Sequence, residues 1–127
     1  MTEEQKMLYS ILEEVISNCK SNWISLSGGL DSSIISHFIK NRNPNSLAII
    51  TKDFLGADLT YSQIISKHLN IPLEICYVST AQILDGIKNT IKILKNFNDI
   101  EIRNAVVMYL SLVELYKKNV KTVLTSL

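Results

Sequence analysis

The chain has 127 residues, 46% hydrophobic and 20% charged, and its 13 basic and 12 acidic residues leave a formal net charge of +1. That size and composition predict a single domain over residues 1–127 with a real core, while charges scattered in small groups give nucleic acid no basic field to bind. The opening Met1-Thr2-Glu3-Glu4-Gln5-Lys6 is not a secretory leader, and no apolar run approaches the ~20 residues of a membrane span, so a cytoplasmic protein without a membrane role is expected.

Thr2 and Gln5 form a capping-box start, after which Leu8, Ile11, Leu12, Val15, Ile16 and Cys19 make one apolar helical stripe. Trp23-Ile24-Ser25-Leu26 reads as a short strand that runs into two glycines, and Leu30, Ile34, Ile35, Phe38 and Ile39 then resume helical spacing. Residues 47–51 form a buried strand. A helix from about Asp58 follows, with Asn70 as its left-handed stop. Residues 73–78 predict a third strand, and Ser79 with Gln82 a second capping box before Ile83, Ile87, Ile91 and Leu94. A last helix begins near Asp99 and gives way at Asn119 to a strand over 121–125. Strands alternating with helices predict an α/β fold, an open parallel sheet with helices on both faces. Cys19 and Cys76, in no C-x-x-C pair, are expected to be reduced and buried. His37 and His68 lie in amphipathic helices without partners at ligand spacing and are expected to be structural.

Chemistry concentrates in Ser27-Gly28-Gly29-Leu30-Asp31-Ser32-Ser33. In an open parallel sheet, ligands lie beyond the carboxyl ends of the strands, and this turn occupies such an end. Gly28 and Gly29 allow conformations closed to other residues, so successive N–H groups can form an anion nest. The first amides of the next helix lack intrahelical partners and add to it. A valine at Gly29 is expected to abolish binding by denying the backbone its conformation and obstructing phosphates. Ser27, Ser32 and Ser33 supply hydroxyls, and Asp31 suits a phosphate only with a divalent cation between them, which makes it a candidate magnesium ligand. Neither a lysine-bearing P-loop nor G-x-G-x-x-G occurs.

The turn resembles the pyrophosphate loop of ATP pyrophosphatases (PP-loop proteins), in the variant typical of asparagine synthetases and the related β-lactam synthetases. Residues 102–110 and 120–125 resemble that family's arginine-containing helix and the strand after it. The resemblance spans roughly residues 20–126. It implies an adenine nucleotide alpha hydrolase-like, Rossmann-like sheet of about four strands in the order 3-2-1-4. It also implies that Ser27, Gly28, Gly29, Leu30, Asp31, Ser32 and Ser33 hold ATP phosphates with Mg2+, that Leu26 and Ile49 flank adenine, and that Arg103 stabilises charge on the intermediate or the departing pyrophosphate. The implied reaction is attack of a carboxylate, aspartate among the candidates, on the α-phosphate of ATP; an amine then displaces AMP.

The sequence also departs from the family. It carries no glutaminase domain or amino-terminal nucleophilic cysteine, and Ser126 and Leu127 stand where a glycine-acid-glycine turn and an Asp-Glu pair are expected. The chain as given is therefore expected to be incomplete, inactive in adenylation, and completed by a homodimer or partner subunit. Two other functions stay open: a non-catalytic nucleotide-binding or assembly module, and a sulfur-transferring, tRNA-modifying PP-loop protein, which the missing cysteine pair and basic patch disfavour.

Overall fold

The computed structural model describes residues 1–53 and 56–126. Helix α1 (Glu3–Ser17) starts at the expected Thr2–Gln5 box, in which each residue's side chain accepts the other's backbone N–H. Strands β1 (Trp23–Ser25), β2 (Asn45–Thr51) and β3 (Leu73–Val78) pair in parallel in the order β1-β2-β3. Between them run α2 (Leu30–Ile39), which tightens into a 3-10 turn over Lys40–Arg42, and α3 (Ala57–Leu69); α4 (Thr80–Leu94) and α5 (Asp99–Lys117) follow β3. Asn70 ends α3 in the left-handed region, as its residue type suggests. Among the described residues no helix is long and apolar enough to cross a membrane.

Register explains the two-sided core. Ile24 stands beside Ser46 and Ser46 beside Leu73, so these side chains share one face. On that face Ile24 and Leu26 pack with Ile16, Ile39, Phe38 and Ile65, contributed by α1, α2 and α3. The opposite face sets Ile49, Cys76 and Val78 against Ile83 and Ile87 of α4 and Ile102, Val106 and Leu110 of α5. Right-handed crossovers account for the division: the chain steps outward from β1 through β2 to β3 with its helices on one side, and returns toward β1 with α4 and α5 on the other.

The sheet has three strands rather than the expected four. Residues 121–125 contribute a single parallel bridge, Leu124 with Ile24, on the side of β1 away from β2. The order therefore follows the 3-2-1-4 expectation in position, but not as a ladder. The cause is the shortness of β1: its outer edge offers the Trp23 carbonyl and the Ser25 N–H, and Leu124 takes both, at 2.8 and 3.0 Å. Leu127 lies outside the described residues.

Helix α1 covers less than its stripe suggests. Ile16 is buried and Leu12 partly so, but Leu8 and Val15 are 58% and 57% exposed. Its C-terminal carbonyls, with no basic residue in the last turn, are closed from afar: Arg42 donates to the carbonyls of Ile16 at 2.8 Å and Cys19 at 2.6 Å. Cys19 and Cys76 are free, as expected, but half-buried rather than buried.

Candidate nucleotide-binding site

The serine-glycine turn leaves the carboxyl end of β1 and enters α2. Leu26 anchors it: its N–H donates to the Leu47 carbonyl at 2.9 Å, its carbonyl accepts the Ser62 hydroxyl at 3.3 Å, and its side chain is 1% exposed. Gly28 follows in the left-handed region at φ +77°. A Cβ there would lie 2.6 Å from Tyr61 Cβ and 2.7 Å from the Ser62 nitrogen, so glycine is required both by conformation and by the close approach of α3. Gly29 differs from the expectation. Its backbone, at φ −74° and ψ 170°, is ordinary extended chain, and an added Cβ would meet only Ser27 Oγ at 3.3 Å. A valine at 29 is therefore not denied its conformation; it acts by filling space over the turn.

The hydroxyls are arranged unequally. Ser32, 2% exposed, bonds Ser27 Oγ at 3.1 Å and donates to the Gly29 carbonyl at 3.2 Å, which makes it an internal staple of the turn. Ser33 donates to the same carbonyl at 2.7 Å. Ser27, Gly29, Leu30 and Asp31 are exposed. Gly29 is the N-cap of α2 and no side chain caps that end, so the first amides of α2 keep their capacity to donate outward.

A second group of residues gathers on the other face. A cavity of about 660 Å³ is walled by Ile49, Val78, Ile83, Ile102 and Val106, with Asp58, Asp99 and Arg103 as its charged groups. Arg103 is gripped side-on by Asp99, one turn earlier: Nε donates to Oδ1 at 3.1 Å and Nη2 lies 3.1 Å from Oδ2, with both side chains about three-quarters exposed (76% and 74%). The structure thus brings Ile49 and Arg103 to one cavity and sends Leu26 to the opposite core. Helix α3 lies between the two groups. Gly56, its N-cap, and Asp58 in its first turn line the cavity, while Tyr61 and Ser62 press on Gly28.

Gly56 holds the N-cap of α3 without a side-chain bond, and Asp58 stands in the first turn. Asp53 accepts a 2.6 Å hydrogen bond from Thr80 at the start of α4. Among the described residues no three His, Cys, Asp or Glu side chains gather as a metal cluster. Sequence reasoning missed Tyr61, Ser62 and the Asp99 clamp. The first two carry no local signal; the third could have been found from the i,i+4 spacing of opposite charges.

A sequence model described as asparagine synthase matches residues 24–126. The chain belongs to the asparagine synthase family. Membership makes it a domain of the PP-loop kind. No curated protein sequence matches it. Among solved structures, the NH3-dependent NAD synthetase from Campylobacter jejuni subsp. jejuni NCTC 11168, in complex with the nitrate ion, has the same fold, with a TM-score of 0.60 at 20% identity. That match takes in 100% of this chain and 57% of the synthetase chain, so the chain spans less than two thirds of the protein it resembles.

Proposed function

We propose that this chain is the ATP-binding domain, over residues 1–127, of an amide-forming ligase that adenylates a carboxylate and releases pyrophosphate. One observation carries the reading: the uncapped start of α2 follows the Ser27–Ser33 turn at the carboxyl end of β1. Amides there would hold the phosphates of ATP, joined by the hydroxyls of Ser27 and Ser33 and, through Mg2+, by Asp31. Ser32 and Gly28 shape the turn, and Leu26 fixes its root. Ile49 supplies an apolar surface for adenine, and Arg103 a positive charge for pyrophosphate once it exchanges Asp99 for the ligand. Magnesium would screen the charge of the departing pyrophosphate; the chain's own part is positioning and charge stabilisation by amides and arginine.

The carboxylate is a small acid, with aspartate the first to test and asparagine biosynthesis the corresponding role, in a cytoplasmic setting. The exposed Leu8, Ile11 and Val15 of α1 support a homodimer or a partner subunit, and sedimentation showing only monomer at high concentration would count against it.

The test is calorimetry of ATP with magnesium on the chain and on Gly29→Val, which the extended backbone at 29 allows to fold. Binding that disappears in the folded variant supports the placement; unchanged affinity refutes it. Exchange of labelled pyrophosphate into ATP, with a panel of carboxylates, then separates an enzyme from a second reading, a nucleotide-binding module without catalysis. The clamp of Asp99 on Arg103 favours that second reading, because it occupies the one arginine assigned to pyrophosphate.

A further inference from the structure

Helices α2 and α3 pack together on one face of a parallel sheet, so both end at the side of the molecule opposite the Ser27–Ser33 turn. Between their last turns lies a cavity of about 460 Å³ lined, apart from Leu69, by His37, Lys40, Asn41, Asn43, His68 and Asn70. Asn43 and Asn70 both hold left-handed backbone, at φ 52° and 54°, at the two chain reversals. None of these six polar side chains makes a hydrogen bond or ion pair with another described residue, and no carboxylate lines the space.

Basic side chains at helix C-termini complement the helix dipole, which accounts for Lys40 and the two imidazoles. It does not account for three carboxamides converging on the same cavity. The combined inventory is an ammonium, three carboxamides that each offer an NH2 donor and an oxygen acceptor, and two rings that each carry at least one N–H, with no anionic group among them. A transition metal is less well served: the two imidazoles have no third His, Cys, Asp or Glu among the described residues. The carbonyl ends of two helices disfavour any anion, so binding must rest on several direct contacts made at once. The ligand must therefore offer enough oxygens to engage Lys40 and several amide NH2 groups together, which a phosphate group does and the two oxygens of a monocarboxylate do not.

We propose that this cavity is a second ligand site, which binds the phosphate group of a small phosphorylated molecule at the end of the fold opposite the nucleotide turn. The full chain is titrated with inorganic phosphate and, at matched ionic strength, with citrate, while the His37 and His68 imidazole signals are followed by NMR. Saturable shifts of both rings with phosphate are expected, with affinity weakened about tenfold in Lys40→Gln and reduced also in His68→Asn. Both variants lie at the surface, and unchanged signals from the core residues establish that they fold. The same shifts should persist in Gly29→Val, which keeps this site independent of the nucleotide reading. Shifts that never saturate, saturation by citrate alone, affinity unchanged in Lys40→Gln, or response to zinc but not phosphate would each overturn the proposal.

Discussion

Helices α2 and α4 both follow a strand of the same sheet, yet they begin in opposite ways. At α4, Ser79 Oγ accepts the Gln82 N–H and Gln82 Oε1 accepts the Ser79 N–H, so two of the orphan amides are satisfied inside the protein. At α2 the N-cap is Gly29 and no side chain serves the first turn. The start of α3 repeats the second pattern with Gly56. The fold thus seals the helix that follows β3 and leaves open those that follow β1 and β2. A start with glycine at the N-cap is less stable than a capped one by a few tenths of a kcal/mol, and what it retains is donor capacity for an external anion.

The largest effect that could break this contrast is at Gly28. Gly28→Val must hold a β-branched residue at positive φ with its Cβ against the α3 backbone, and a loss of roughly 2–5 kcal/mol is expected in urea unfolding. A loss below about 1 kcal/mol would mean that α3 does not brace the turn. Next, Ser79→Ala should cost about 1 kcal/mol in the same measurement and leave ATP affinity unchanged, since α4 takes no part in the Ser27–Ser33 turn. Altered ATP affinity in that variant would erase the distinction between the two helix starts. Smaller still, Gly29→Ser should stabilise the chain by a few tenths of a kcal/mol and weaken ATP binding, because the new hydroxyl competes for the amides that the ligand needs. Tighter binding in that variant would count against the role assigned to the open amides.

The smallest effect is a pH dependence on the sealed side of the molecule. Burial pushes the Cys76 thiol above its ordinary value of 9.0, with Glu114 adding to the rise. Lys118 is also raised, first by its hydrogen bond to Glu74, the pair lying 2.6 Å apart. Both groups hold protons more tightly in the folded state. Their contribution is complete below the unfolded values and is lost as pH rises through the folded ones, so the urea midpoint should fall slightly in the alkaline range that begins near 9.0. Cys76→Ser should flatten the first part of that decline. An unchanged slope would place the titration elsewhere.

What could be read from the sequence was local. Capping boxes at Thr2 and Ser79 need only a side chain three residues ahead, and the left-handed stop at Asn70 needs only its own residue type. The serine-glycine turn between a strand and a helix and the alternation of strands and helices are contiguous patterns of the same kind. What could not be read depended on elements distant in the chain. Which glycine carries the strained conformation is decided by the approach of Tyr61 and Ser62, not by the turn itself. The opposite fates of Leu26 and Ile49 follow from pleat and register, and the reduction of the fourth strand to one bridge follows from the length of β1. Arg42 gave no signal as the partner of α1, because its acceptors are backbone carbonyls.

That mooring by Arg42 has a dynamic meaning. Helix α1 is tied to the rest of the chain mostly toward its C-terminal end, by one guanidinium, by Ile16, its one buried residue, and by Leu12, with the Tyr9 ring 4.8 Å from that of Phe38 as the contact nearer its start, while Met7 and Leu8 face outward. Its amides are therefore set to open in a sub-global event at a lower free energy than the sheet, fraying from Thr2 toward Ile16. The β1 turn and its brace on α3 make their bonds without α1 and can stay closed through that event. The chain is accordingly expected to behave as two cooperative units of unequal stability, with the Ser27–Ser33 turn in the more stable one.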